Sequence, residues 1–171
     1  MDYSKFKSGS DIRGYALGDE SNPLYMSDEM VMRSAAAFLM WLKKKTGKPP
    51  PVVSVGHDSR LSAERIKNAV INALLLYGIR VYDCGLSSTP AMFMTTVEMN
   101  CDGAVQITAS HHPKDRNGLK FFNTDGGLEK ADIKEILTIA QEKAEVWPDD
   151  AAGTPCNCLE AYTAFLRKKI C

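Results

Sequence analysis

Short apolar runs alternate with longer amphipathic segments in the middle of this chain. Three of these runs are β-branched and have the length of buried strands: VVSVG, IRVYDCG and GAVQIT. Between the first two, AERIKNAVINALLLYG repeats apolar residues at helical spacing, and Gly78 can end that helix. Before the third, Thr89 and Pro90 can begin a helix over AMFMTTVEM. Strands that alternate with helices predict a layered α/β domain with parallel pairings.

Helices are also predicted on both sides of this alternating region. Ser27 can cap a helix through DEMVMRSAAAFLMWLKKK, and Gly47 can end it in the left-handed conformation. After TDGG, apolar residues at helical spacing from Ile133 to Ala140 predict an amphipathic helix. A linker of mixed character, VWPDDAAGTPCN, then precedes a last helix, LEAYTAFLRKKI.

The segment LKFFN follows GAVQIT too closely for a crossover helix, so it should pair with that strand in an antiparallel sense. The predicted fold is therefore an α/β layered domain in which helices flank a mixed, mostly parallel β-sheet, with the last strand antiparallel. With 171 residues and 44% hydrophobic content, the chain is expected to form one domain over residues 1–171.

Charge and hydropathy limit the class of partner. The 21 basic and 21 acidic side chains cancel, so no net field would draw the protein to nucleic acid or to an anionic membrane. No apolar run approaches the ~20 residues that span a bilayer, and MDYSKFKSGSD lacks the apolar stretch of a signal peptide. We therefore expect a soluble, cytoplasmic protein with a small-molecule ligand and with neither nucleic acid nor membrane as partner.

The five cysteines do not suggest a disulfide framework. Their number is odd, and the chain is long enough to fold without such bonds, so reduced thiols are expected. Cys156 and Cys158 form CNC rather than CxxC, which argues against zinc.

The segment ITASHHPKDRNGLKFF, residues 107–122, concentrates reactive side chains at the end of a predicted buried strand, where ligand crevices form in α/β sheets. It collects an oxygen nucleophile, cationic donors and a glycine that permits close backbone approach: Ser110, His111, Lys114, Arg116, Gly118 and Lys120. Such a set suits a phosphate group. An ordinary turn, in which Ser110 and Asn117 bond the backbone and the charged side chains are merely solvated, remains the alternative.

Two other chemistries are less well matched by this loop. TASHHP is not a GxSxG elbow, and His111 is adjacent in sequence to Ser110, a poor position for a hydrolase base. A metal site needs three or four converging ligands, and His57 is the only histidine besides the adjacent pair.

The loop resembles the nucleophile loop of the α-D-phosphohexomutases, the phosphoglucomutase/phosphomannomutase family, whose usual form is TASHNP followed by NG and a lysine. Two further stretches resemble that family in the same order: FKSGSDIRG is similar to its N-terminal motif ending in DIRG, and VGHDSRLS is similar to its VGRDSR segment. The resemblance covers the first of the family's four domains. It implies that residues 146–171 are a linker and C-terminal helix that lead towards a second domain absent from this chain.

The resemblance implies that Ser110 holds a phosphoryl group and donates it to a hexose phosphate. A hexose 1,6-bisphosphate would form, reorient and return its other phosphate to Ser110, which moves phosphate between C1 and C6. A phosphoserine carries a charge of about −1.5 to −2 at pH 7, so this transfer needs cations that clamp it.

The same resemblance assigns roles to four more residues. Arg13 would bind the phosphate through its planar guanidinium, although a surface ion pair with Asp11 or Asp19 is the alternative. Lys120 would stabilise the transferred group and exchange a proton, and His111 would bond the phosphate or carry a proton. Asn117, in the NG pair, is counted with the phosphate-binding residues.

Four residues receive no carried-over catalytic role. His112 stands where the family commonly has asparagine, and His57 where it commonly has arginine, so both are interpreted as structural or supporting residues. For Asp58 and Arg60, loop capping and an ion pair are a sufficient explanation, and a supporting role at the active site is also open.

The family binds Mg²⁺ through a DGDGD-type cluster in its second domain, and no such cluster occurs here. Ser110 would contribute a metal ligand only through its phosphate. The implied function is therefore an isomerase of carbohydrate metabolism that needs Mg²⁺, a hexose 1,6-bisphosphate activator and the remaining domains of the full-length protein; this chain alone is expected to be inactive. Phosphoglucosamine mutase, a non-catalytic phosphosugar-binding or regulatory module, and a serine hydrolase are the alternatives.

Overall fold

A computed structural model describes residues 2–47, 51–142, 154–155 and 158–170. A short 3-10 helix, Tyr3–Phe6, comes first. The strands are β1 (Lys7–Ser8), β2 (Asp11–Tyr15), β3 (Val52–His57), β4 (Arg80–Leu86), β5 (Gly103–Ile107), β6 (Arg116–Asn123), β7 (Gly126–Gly127) and β8 (Thr154–Pro155). The α-helices are α1 (Asp28–Thr46), α2 (Ala63–Leu76), α3 (Thr89–Glu98), α4 (Lys130–Glu142) and α5 (Cys158–Ile170).

The strands form a single mixed sheet in the order β1-β2-β6-β5-β3-β4-β8, with β7 beside β6. β3 pairs in parallel with β4 and β5, and β4 pairs in parallel with β8. β6 returns antiparallel to β5, with Val105 opposite Phe121. The predicted α/β class, the mixed sheet and the antiparallel return of β6 are confirmed.

The sheet was predicted to be mostly parallel, and this part of the prediction is wrong: among the described strands, four pairings are antiparallel and three are parallel. The DIRG segment forms β2, which pairs antiparallel with both β1 and β6. β2 has only five residues and contains an aspartate, an arginine and a glycine, so it lacks the apolar run by which the other buried strands were found. Two short strands, β7 and β8, also follow β6, so β6 is not the last strand in the chain.

Helices cover both faces of the sheet. The larger core lies between the sheet and α1, α2 and α4, where Phe38 of α1 stacks on Phe121 of β6 with ring centroids 4.6 Å apart. On the opposite face, Met92 of α3 packs with Phe122 and Ala104. Phe121 and Phe122 thus serve different cores, because successive residues of a strand point to opposite faces.

The predicted helix ends agree closely with the structure. Ser27 caps α1 by accepting a hydrogen bond from the N–H of Met30, and Gly47 ends that helix with φ 63°. At α3 the cap is Ser88, which accepts from the N–H of Ala91, and Thr89 is the first helical residue rather than the cap.

Most of the predicted linker, residues 146–153 and 156–157, lies outside the described residues. Its two described residues form β8 beside β4, and α5 packs against α3. Among the cysteines, Cys101 is buried, and Cys84 is disulfide-bonded. The expectation of reduced thiols is therefore wrong for Cys84. Within the described parts of the chain, no helix is long and apolar enough to span a membrane.

Candidate active site

The loop singled out in the sequence, residues 108–115, joins the carboxyl end of β5 to the start of β6. It lies beside the segment that follows β3, since the N–H of Asp58 donates to the carbonyl of Ile107 at 3.0 Å. Thr108 and Ala109 are buried, whereas Ser110 and His111 are exposed. The polar end of this loop therefore faces outwards at the carboxyl edge of the parallel strands, where α/β sheets bind ligands.

Ser110 has an unusual backbone conformation. Its φ is +56°, and Asn100 is the only other non-glycine residue with positive φ in the described parts of the chain. This left-handed conformation is disfavoured for residues with a Cβ atom. The N–H of Ser110 donates to the Oγ1 atom of Thr108 at 2.9 Å, which helps to hold the turn. Strain of this kind concentrates at functional sites, so it supports a specific role for the exposed hydroxyl.

The adjacent histidines lie next to this hydroxyl. The Nδ1 atom of His111 is 3.4 Å from the Oγ of Ser110, at the long limit of a hydrogen bond, and the rings of His111 and His112 stack with centroids 5.0 Å apart. The pKa of His112 is lowered from its ordinary value by partial burial first, and then by the positive charges of Arg13, His111, Arg116 and Arg60. His112 is therefore surrounded by the cations of the loop, although sequence reasoning gave it no active-site role.

Arg13 and Lys120 converge on one carboxylate. A nitrogen of the Arg13 guanidinium lies 2.6 Å from Asp11 Oδ2, and Lys120 Nζ lies 2.6 Å from Asp11 Oδ1. The second contact is an ion pair rather than a well-directed hydrogen bond. The Asp11 side chain is only 6% exposed, against 14% for Arg13 and 26% for Lys120. The ion pair between Arg13 and Asp11, the alternative to a functional role for Arg13, is therefore present. Because Lys120 contacts the same carboxylate, Asp11 also links Arg13 to Lys120.

The pairing of β2 with β6 brings Arg13 to the base of the loop. Arg13 lies opposite Gly118 in the register, and the carbonyl of Gly118 accepts from the N–H of Thr108 at 3.0 Å. A Cβ atom at Gly118 would clash with the carbonyl of Ile12 and would lie 2.9 Å from Arg13 Cγ. The absence of a side chain at Gly118 therefore leaves room for the Arg13 side chain beside β6.

Asn117 lies inside the protein rather than on the loop surface. It is fully buried, and its amide donates to Ser62 Oγ at 3.0 Å while its carbonyl oxygen accepts from the N–H of Gly118 at 2.9 Å. These bonds tie the start of β6 to the residue before α2. Arg116 stacks on the ring of Tyr15, with its guanidinium carbon 4.2 Å from the ring centroid.

Asp58 and Arg60 form the expected ion pair, with 3.1 Å between Asp58 Oδ2 and Arg60 Nε. Beyond this pair, Arg60 reaches into the Ser110 loop and donates to its backbone carbonyls, a contact that sequence reasoning left undecided. The sequence signal for this contact is the position of Asp58 and Arg60 just after β3, because the carboxyl ends of neighbouring parallel strands meet at one edge of the sheet. His57 points elsewhere: its Nε2 atom lies 3.1 Å from Glu64 on α2.

The described residues do not provide a metal site by themselves. No group of three or more metal-ligating side chains converges within the part of the chain that the structure describes. Two of the carboxylates near the loop are already engaged, Asp11 by Arg13 and Lys120 and Asp58 by Arg60 and Thr108. The third, Asp115, lies in the loop, and its Oδ1 atom is buried without a hydrogen-bond partner among the described residues. An oxygen shell for Mg²⁺ therefore needs donors beyond these side chains.

Comparison with known proteins identifies the class. The family model for phosphoglucomutase/phosphomannomutase, alpha/beta/alpha domain I, matches residues 4–147. The chain is 40% identical over 163 residues to a phosphoglucomutase/phosphomannomutase from Thermococcus kodakarensis, covering 93% of this chain and 34% of that protein. It is 31% identical over 173 residues to a phosphoglucosamine mutase from Limosilactobacillus fermentum, covering 97% of this chain and 37% of that protein.

Solved structures share the fold. A protein from Thermus thermophilus described as a phosphomannomutase superposes with a TM-score of 0.80 at 24% identity, covering 96% of this chain and 36% of that one. A phosphoglucomutase/phosphomannomutase family protein from Burkholderia thailandensis gives a TM-score of 0.72 at 20% identity, over 91% of this chain and 33% of that one. The chain therefore belongs to the phosphoglucomutase/phosphomannomutase family, as a domain I. It spans about a third of the length of the curated relatives that it matches.

The Gly118 contact predicts the effect of one methyl group. Gly118→Ala should destabilise the protein by about 2 kcal/mol or more, because the added carbon meets backbone that cannot move cheaply. Chemical denaturation of the two proteins measures this difference.

Gly127→Ala is the matched control. An added Cβ there would meet nothing closer than 3.7 Å, so its stability should stay within about 0.5 kcal/mol of the parent protein. Equal effects of the two substitutions would contradict the close approach of the Ile12 and Thr108 carbonyls to Gly118.

Proposed function

We propose that this chain carries the phosphoryl-transfer serine of a cytoplasmic phosphohexomutase of carbohydrate metabolism, and that Ser110 is that serine. The enzyme moves phosphate between C1 and C6 of a hexose phosphate through a phosphoserine and a hexose 1,6-bisphosphate. The observation that carries this proposal is the exposed Ser110 hydroxyl, held in a left-handed turn at the edge of a cationic cluster. Membership of the family supports the reaction class.

The cationic groups suit a phosphoserine dianion. Arg13 and Lys120 share one carboxylate, so two positive charges face one negative charge before any phosphate is present. The Nε atom of Arg13 is also buried without a hydrogen-bond partner among the described residues. A phosphate oxygen would satisfy such a donor, and the planar guanidinium can contact two oxygens at once.

The chemical step is a transfer between two oxygens. The bond between Ser110 Oγ and phosphorus breaks while a sugar hydroxyl oxygen forms the new bond to phosphorus; that hydroxyl loses its proton, and the released Ser110 oxygen gains one. In our proposal Lys120 exchanges this proton and stabilises the moving group. His111, whose Nδ1 is 3.4 Å from Ser110 Oγ, bonds the phosphate or carries the proton. Asn117 supports the reaction by fixing the start of β6, since its amide is engaged inside the protein.

The remaining components are proposed to come from outside this chain. Mg²⁺ would bind the Ser110 phosphate and be completed by carboxylates of a second domain, and the activator would be a hexose 1,6-bisphosphate. Because the chain spans about a third of its relatives, we propose that residues 146–171 lead towards those further domains and that the chain alone is inactive.

The sugar is the least constrained part of the proposal. The matched relatives carry two names, phosphoglucomutase/phosphomannomutase and phosphoglucosamine mutase. We place this chain with the former because that relative is 40% identical over 93% of this chain, against 38% over 70% for the phosphoglucosamine mutase from Leuconostoc mesenteroides. Assay of the full-length gene product on glucose, mannose and glucosamine phosphates separates the two. A non-catalytic phosphosugar-binding module would bind these sugars and turn over none.

The site of phosphorylation gives the first test of this proposal. The full-length gene product should carry one stable phosphate on Ser110, and Ser110→Ala should remove both that phosphate and nearly all mutase activity. Peptide mass spectrometry and a coupled assay measure the two effects. Ser88→Ala is a control on a different turn, where only the α3 cap is lost. Phosphate found on Ser87, Ser88 or Thr108 instead would show that the loop has been misassigned.

A second prediction separates charge from geometry at the phosphate clamp. Arg13→Lys keeps the positive charge but loses the planar fork, so kcat should fall roughly tenfold or more, the equivalent of about 1.4 kcal/mol. Lys120→Arg should be similarly harmful, because the pKa of a guanidinium cannot move into the range needed for proton exchange. Steady-state kinetics of the full-length gene product provide both numbers.

Matched controls are available on the surface of α1. Arg33→Lys alters an exposed ion pair with Glu29, and Lys44→Arg alters one with Glu135. Both should leave kcat within about twofold of the parent enzyme, since exposed pairs contribute little. If the two site variants behave like these controls, Arg13 and Lys120 do not act on the transferred phosphate.

A further inference from the structure

We propose that Arg60 is a positioning residue that holds Ser110 in its reactive conformation by bonding the backbone of the loop. Asp58 and Thr108 complete this hydrogen-bond network, which we call the brace. The inference rests on the proposed role of Ser110 as the phosphoryl carrier, and it adds a residue that contacts neither phosphate nor sugar. Arg60 is 11% exposed at its side chain and lies on the segment between β3 and α2.

Every N–H donor of the Arg60 guanidinium has an acceptor. A guanidinium has five such donors in one plane. Nε donates to Asp58 Oδ2 at 3.1 Å. One terminal nitrogen donates to the carbonyls of Pro113 at 2.7 Å and Arg116 at 3.0 Å. The other terminal nitrogen donates to the carbonyls of Ser110 at 2.7 Å and His112 at 2.8 Å. Four of the five acceptors are backbone oxygens of the loop and of the first residue of β6, so this one side chain fixes the path of the loop.

The brace holds Ser110 on both sides of its Cα atom. Arg60 bonds the carbonyl of Ser110, and Thr108 Oγ1 accepts from its N–H at 2.9 Å. The Thr108 hydroxyl in turn donates to Asp58 Oδ2 at 2.7 Å, the same oxygen that accepts from Arg60. One carboxylate oxygen therefore links the two restraints that hold Ser110 at φ +56°. Fixing both peptide groups stabilises a conformation that a serine would otherwise rarely adopt.

These contacts distinguish Arg60 from the phosphate-binding arginine. Arg13 has a buried Nε without a partner among the described residues and is available for an anion. Arg60 has no donor left for one. It also satisfies four carbonyl oxygens whose partial negative charges would repel a phosphoryl group if they turned towards it. The function of Arg60 is therefore to orient Ser110 Oγ and not to bind the phosphate.

A lysine cannot replace Arg60 in this arrangement. Its ammonium group is a point charge with three donors, so at least two of the five acceptors lose their partner. In the full-length gene product, Arg60→Lys should raise amide hydrogen exchange across residues 110–117 by about tenfold or more. It should also lower kcat by about a hundredfold, the size of effect produced by a misplacement of about 1 Å, with KM changed by less than about threefold.

Arg65→Lys is the matched control. Arg65, on α2, also pairs with a carboxylate, that of Asp28, and donates to two backbone carbonyls, those of Ala16 and Met26. It supports the segment before α1, where the N–H groups of Ala16 and Leu17 donate to the carbonyl of Asp115, so its replacement should leave exchange in residues 110–114 and kcat close to those of the parent enzyme. The proposal is overturned if the two variants have the same effect on the Ser110 loop.

Substitution of Thr108 gives an independent test in case Arg60→Lys folds poorly. Thr108→Val keeps the size of the side chain but removes the hydroxyl, so kcat should fall and exchange at Ser110 should rise. Thr108→Ser keeps the hydroxyl and should recover most of both. If valine and serine behave alike, the hydroxyl bridge to Asp58 does not position Ser110.

The two readouts separate this inference from the proposed function. Absence of phosphate on Ser110 and of mutase activity in the parent protein would contradict the proposed function, while the exchange measurements would still decide whether Arg60 braces the loop. Unchanged exchange in Arg60→Lys and Thr108→Val would overturn the brace even if the parent enzyme is an active mutase.

Discussion

The antiparallel pairing of β2 with β6 is the constraint on which the candidate site depends. It connects residues more than a hundred positions apart in the sequence and sets Arg13 opposite Gly118, two strands from the point where the Ser110 loop begins. The absence of a side chain at Gly118 leaves room for the Arg13 side chain beside β6. Without this register, Arg13 would not lie beside Gly118 at the base of the loop.

The same pairing sets the charge of the site. Asp11, the first residue of β2, is nearly buried and contacts both Arg13 and Lys120. A buried carboxylate needs such partners, because burial without them disfavours its charged form. The carboxylate offsets the repulsion between the two cations, and the three groups together keep a net positive charge. In the proposed function, a phosphate would meet cations that are already in place, which lowers the cost of organising them during the reaction.

Arg13 and Arg60 differ in their hydrogen bonds, and the roles proposed for them differ accordingly. Arg13 has a buried Nε atom without a hydrogen-bond partner among the described residues and is the proposed phosphate ligand, whereas Arg60 directs all its donors to the loop, the start of β6 and Asp58. This difference between Arg13 and Arg60 lies in which of their N–H donors have acceptors, and not in distance alone. It explains how an exposed loop can hold a serine in a left-handed conformation: the backbone is fixed from its buried side, and the hydroxyl remains accessible.

Sequence periodicity was sufficient for the elements with long apolar patterns. The helices α1, α2 and α4 and the strands β3 to β6 were predicted close to their observed ends, because their buried residues recur at helical or strand spacing. β2 was missed, since a five-residue strand with Asp11, Arg13 and Gly14 has no such pattern and is a strand only through its partners. The disulfide at Cys84 was missed as well, because spacing does not reveal which distant residues meet.

For the site, the sequence identified the loop and its chemistry but not the connections. Ser110, His111, Arg13 and Lys120 were selected by residue type and by resemblance, and the structure places them around the carboxyl edge of β5 and along β2 and β6. The contacts of Asp11 with two cations and of Arg60 with four carbonyls depend on side-chain paths through three dimensions. No local pattern encodes those paths.

The central claim is that the Ser110 loop forms a preorganised cationic site for a phosphoserine. The most direct test is a ³¹P NMR titration of the Ser110-phosphorylated protein, folded and in urea. Opposite charges within about 4–6 Å lower the pKa of an acid by roughly one unit or more, so the second pKa of the phosphate should be lower in the folded protein than in the unfolded one, where it is about 6. An equal or higher pKa in the folded protein would contradict the account.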